Sequence, residues 1–65
     1  MSVNINIIFN DGVAARANNK DFLANPYIKP EMMPAVTRES VEPWNEKCSA
    51  WNDGWKYEDF LRNLR

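Results

Sequence analysis

The sequence predicts a mainly α fold: a small single domain of two main helices, with an N-terminal β-strand or extended arm. Three observations carry that expectation. The chain has 65 residues, enough for one hydrophobic core and far short of the length at which chains divide into several. Val41, Trp44, Cys48, Trp51 and Trp55 recur at steps of three and four, the rhythm of one helix face, and fall within about 80° of arc at 100° per residue. Val3, Ile5, Ile7 and Phe9 instead alternate with Asn4, Asn6 and Ile8, the period of a half-buried strand.

Taken in order, residues 1–10 read as the strand or arm. Its residues are β-branched or aromatic, and Asn10-Asp11-Gly12 closes it. No second alternating run follows, so a strand here would pair with a copy of itself or with another protein; a segment laid loosely across the helices is the other reading. Residues 11–24 read as the first helix. Asn10 or Asp11 can cap it, and Val13, Ala14 and Ala17 share a face. It stops at Asn18-Asn19 or runs on through Phe22-Leu23, and Asn25-Pro26 ends it, because a residue before proline is pushed out of the α region. Residues 25–39 hold Pro26, Pro30 and Pro34 with Met32 and Met33, an ordered but irregular connector. Residues 40–64 read as the second helix, started near Thr37 or Ser40, with acidic first-turn residues and Pro43 where proline is tolerated. Tyr57, Phe60, Leu61 and Leu64 form a second apolar stripe on roughly the opposite side from the tryptophans. The helix therefore either bends at Gly54 or continues with two apolar faces, and the latter points to a partner.

Composition narrows the chemistry. The chain has one cysteine and no histidine, so it lacks an internal disulfide, the commonest general base and every Ser-His or Cys-His pair. No catalytic residue, metal ligand or cofactor site is expected. Eight basic and nine acidic residues give a net charge of −1, without the dense basic patch of a phosphate-binding surface. Ile7-Ile8-Phe9 is far too short to span a bilayer, and Met1-Ser2-Val3 lacks the basic and apolar regions of a leader, so a cytoplasmic protein with a reduced thiol is expected.

Trp51-Asn52-Asp53-Gly54-Trp55-Lys56, preceded by Gly12-Val13-Ala14-Ala15 and Asn25-Pro26-Tyr27, resembles the ribosome modulation factor family and its short bacterial and phage relatives. The likeness covers residues 12–27 and 48–58. It implies a two-helix core built with Tyr27, Trp51 and Trp55, and a close helix crossing at Gly54. The balanced charge departs from that family's strongly basic character, so no RNA-contacting role is carried over.

Two functions are weighed. The first is a non-catalytic protein-binding regulator, of the phage-encoded kind that inhibits a larger host machine such as a defence complex, a polymerase or another nucleic-acid enzyme. The second is a ribosome- or RNA-associated modulation factor, in which Lys20, Lys29, Arg38, Lys47, Lys56, Arg62 and Arg65 would converge. The expected partner-binding residues are Ile5 and Ile7 on the strand, Trp44 beside Pro43, and Tyr57, Phe60 and Leu64 on the second stripe. A homodimer through the N-terminal strand is a third possibility.

Overall fold

In the computed structural model, which describes residues 4–64, two long helices lie side by side and a proline-rich connector runs back between them. The first helix, α1, spans Ile5–Ala17. Asn4 caps it, its side-chain oxygen accepting a hydrogen bond from the Ile7 N–H at 3.2 Å. The expected strand is therefore a helix over Ile5–Phe9, and the expected cap residues, Asn10 and Asp11, lie inside it. No strand occurs among the described residues; Val3, where the alternation begins, lies outside them. The physical reason is that the same run also carries a helical pattern. Ile5, Ile8, Phe9 and Gly12 recur at three, one and three, and it is this face that meets the second long helix.

The end of α1 comes at Asn18, seven residues before the asparagine–proline stop. Asn19 sits in the left-handed region with φ 61°. The Lys20 N–H then reaches back to the Ala15 carbonyl at 2.9 Å and the Asn19 N–H to Arg16 at 3.0 Å, the paired bonds of a Schellman termination. Asparagine takes the place glycine usually holds, because it tolerates the left-handed region better than most residues do.

From Lys20 the chain folds as three single turns of 3₁₀-helix, Phe22–Ala24, Pro26–Ile28 and Pro30–Met32, then one α-turn, α2, over Pro34–Thr37. Each of the last three opens on a proline, whose fixed φ and missing N–H suit a first helical position. Asp21 and Asn25 cap the first two turns with their side chains. This ordered but irregular path leads to α3, Val41–Asn63, unbroken through Gly54. Ser40 holds the cap position, although its hydroxyl makes no capping bond.

The two long helices run in the same direction, as the register of their contacts shows. Ile8 packs with Ala50 and Trp51, Arg16 bonds Asp59 at 2.8 Å, and Arg62 reaches the Ala17 carbonyl. Parallel neighbours require a long return path, which is what the connector supplies. It descends α3 from Trp55, whose indole N–H donates to the Lys20 carbonyl at 3.0 Å, to Trp44, whose indole N–H donates to Tyr27 at 2.8 Å. Between those two clamps Asn25 is fully buried. Its amide nitrogen donates to the Cys48 carbonyl and to Asn52, and its oxygen accepts from the Tyr27 N–H. The core is small: Ile8, Ala50 and Trp51, with Ala15, Tyr27 and Trp55 packed against it. No helix among the described residues is long and apolar enough to cross a membrane.

The helices touch at backbone distance. A side chain at Gly12 would strike the backbone of Trp51, and would lie 2.9 Å from the Trp55 nitrogen. One at Gly54 would strike the Phe9 carbonyl, with the Phe9 carbonyl carbon at 2.8 Å. Glycine at both places sets the separation of the pair, and with it everything the pair displays.

Candidate functional site

An α-helix packed against one neighbour and covered by one connector must leave part of its circumference to solvent. For α3 that part is a seam of Glu42, Glu46, Ser49, Asp53, Tyr57, Phe60 and Leu64, all exposed. Their spacing is four, three, four, four, three and four, and they share about 80° of arc on the side opposite the tryptophan stripe. The first four are acidic or polar and the last three are large and apolar. Tyr57, Phe60 and Leu64 are 52%, 61% and 66% exposed, so these three apolar groups stand in water on adjacent turns. Phe9 of α1 extends the patch sideways, its ring 5.8 Å from that of Tyr57. Ile5 stands one turn before Phe9 on the same side of α1.

The other expected contact residues are placed differently. Ile7 is exposed on the outer side of α1, away from the seam, and cannot line a strand edge because its segment is helical. The same holds for Ile5 as a strand residue, and the homodimer through an N-terminal strand therefore has no strand to pair among the described residues. Trp44 is half-buried beneath the connector with its indole N–H engaged by Tyr27. Leu23 and Val36 are exposed apolar residues without a counterpart in the sequence pattern, and Val41, expected on the tryptophan stripe, is exposed as well. Nor did it join Glu42, Glu46 and Asp53 to the apolar stripe. The signal was present in the unbroken three-and-four spacing from 42 to 64.

Charges on α3 divide by face. Glu58 pairs with Arg62 at 3.0 Å and Asp59 with Arg16 at 2.8 Å. Glu42, Glu46 and Asp53, on the outward seam, form no ion pair among the described residues. The nearby cations are engaged elsewhere. Lys47 pairs with Glu39 of the connector, and the Lys56 ammonium lies 5.5 Å from the centre of the Phe22 ring. Phe22 in turn sets its edge against Trp55 at 5.3 Å, and Arg16 covers Trp55 at 5.6 Å, a cation–aromatic stack on the connector side. Burial pushes the Cys48 thiol above its ordinary pKa, and the Glu39 carboxylate adds to the shift. No pocket and no group of three or more potential metal-binding side chains occurs among the described residues. The site is a surface rather than a cavity. Compared with known protein families, characterised proteins and solved structures, the chain matches none.

Proposed function

We propose that the chain is a small non-catalytic protein-binding regulator, of the phage type that inhibits a larger host machine such as a defence complex, a polymerase or another nucleic-acid enzyme. One observation carries the protein-binding part. Among the described residues, eight large apolar side chains, Ile5, Ile7, Leu23, Val36, Val41, Tyr57, Phe60 and Leu64, stand exposed, while the buried apolar set is Ile8, Cys48, Ala50 and Trp51. Scattered exposed apolar residues are ordinary, but Tyr57, Phe60 and Leu64 adjoin one another, and contiguous apolar patches mark interaction surfaces. The non-catalytic part rests on the residues a reaction would need: no histidine exists to act as base, and the one thiol is buried with a raised pKa.

The ribosome- or RNA-associated reading, suggested by the family resemblance, has less support. Arg16, Lys47 and Arg62 are spent on internal carboxylates, and the outward seam of α3 is acidic and apolar. The two readings separate in one experiment. The tagged protein and its Phe60→Glu variant are used to capture partners from host lysate at low and high salt, with and without nuclease. A protein complex retained through salt and nuclease by the unsubstituted chain alone is the expected result. Ribosomal subunits that are lost as salt rises, and held equally by Phe60→Glu, would replace this proposal with the RNA reading.

A further inference from the structure

We infer that the outward seam of α3 docks a partner helix that is basic over one half of its contact face and apolar over the other. The inference rests on the protein-binding reading above and names the chemistry of the partner. Three features of the seam lead to it.

The first is shape. Seven exposed residues at steps of three and four along a 23-residue helix trace a nearly straight track of roughly 33 Å at 1.5 Å per residue. A track of that periodicity matches the side-chain spacing of another helix laid along it, where an extended strand, with its period of two, would meet it out of step.

The second is charge. Of the five carboxylates on α3, Glu58 and Asp59 have their cations within the chain, whereas Glu42, Glu46 and Asp53 have none among the described residues. Glu42 and Glu46 are four apart on one helix face, an arrangement that destabilises an isolated helix. A cationic partner over residues 42–53 turns that repulsion into complementarity, which is the usual source of specificity and register at an interface. The same carboxylates disfavour a polyphosphate strand.

The third feature concerns a second copy of this chain, which the seam fits poorly. A parallel copy would set Glu42 and Glu46 against their own counterparts. A fully overlapped antiparallel copy would bury carboxylates against Tyr57, Phe60 and Leu64. Only the short tips over residues 57–64 could meet favourably, about two turns of helix, well below the ~800 Å² per partner of a stable interface.

The test selects ligands rather than assuming one. A displayed library of helical peptides of about 23 residues, randomised on one face, is panned against the protein, against the Glu42→Lys, Glu46→Lys double variant, and against Phe60→Glu. All three substituted positions are exposed, and circular dichroism verifies that the variants keep their helices. The expected result is enrichment of peptides with Lys or Arg over one half and large apolar residues over the other. The double variant should bind those peptides at least tenfold more weakly and should enrich acidic ones instead. Neutral or acidic peptides, or enrichment unchanged by the double variant, overturn the inference; loss on Phe60→Glu would still leave the protein-binding reading standing. A dimer in sedimentation that Phe60→Glu dissociates assigns the seam to a second copy and also overturns it. No enrichment above that seen with Phe60→Glu removes both the inference and the functional reading beneath it.

Discussion

At positions 12 and 54 a single methyl group decides whether the two long helices can meet. Alanine is ordinarily the better residue inside a helix, by about 1 kcal/mol over glycine. Here the new carbon at either position would fall on backbone atoms of the opposite helix, at Trp51 and Trp55 or at Phe9, and backbone cannot rotate aside as a side chain can. Overpacking of this kind costs about 1–3 kcal/mol or more, so the clash outweighs the gain in propensity. Gly12→Ala and Gly54→Ala should each lower the urea midpoint rather than raise it; a raised midpoint would mean the helices are not held at this distance. Cys48 supplies a prediction of a different kind. Its thiol pKa is raised first by burial and then by Glu39. The folded chain therefore keeps the proton at a pH where the unfolded chain has released it. The resulting stability is fully present below the unfolded thiol's pKa and is lost as pH rises toward and through the folded one. Stability should thus decline in the alkaline range, and Cys48→Ala should flatten that part of the pH profile in chemical denaturation.

The connector is held to α3 chiefly by polar clamps, and the tryptophans that anchor it double as its hydrogen-bond donors. Trp44→Phe with Trp55→Phe keeps aromatic bulk and deletes the N–H groups that bind the Tyr27 and Lys20 carbonyls. Each bond is worth about 1 kcal/mol, so the double variant should lose about 2 kcal/mol. Amide exchange should quicken first in residues 20–33, with the mid-helix amides of α1 and α3 changed only by the global loss. The elements also differ in how far the sequence foretold them. The tryptophan spacing marked the helix that is α3, since three large residues on one face leave little choice of period, and Pro26, Pro30 and Pro34 marked the irregular connector. The N-terminal segment misled because Ile7-Ile8-Phe9 satisfies periods of 2 and 3.6 alike, and its β-branched residues favour strand locally. What decides for helix is tertiary: Gly12 and Gly54 let α1 lie against α3, a match between residues 42 positions apart that local patterning cannot see. The seam of α3 was half legible. Its apolar end stood out, while its acidic end resembled an ordinary solvated face until the ion pairs of Glu58 and Asp59 showed which carboxylates lacked one.

For the molecule as a whole, parallel packing and a single return connector have a consequence for what stays uncovered. One flank of the helix pair is closed by residues 20–39 and the tryptophans beneath them. The other, where Phe9 meets Tyr57 and the seam continues to Leu64, has no third element to cover it among the described residues. The flatness follows: the principal extents are 42 × 22 × 13 Å. Domains usually bury a helix stripe against a second layer, and here the far end of α3 shows its stripe to water. If that stripe serves binding rather than folding, removing it should leave stability intact. Phe60→Ser with Leu64→Ser takes away two side chains that are 61% and 66% exposed. Surface substitutions of this sort usually change stability by no more than about 0.5 kcal/mol each, whereas truncation of a packed core phenylalanine or leucine costs about 2–5 kcal/mol. The expected outcome is a thermal midpoint within a few degrees of the unsubstituted chain, together with reduced binding of a hydrophobic dye and weaker capture of the protein partner. A loss of stability on the core scale would show instead that Phe60 and Leu64 pack within the monomer, and the apolar end of the seam would no longer be available to a partner.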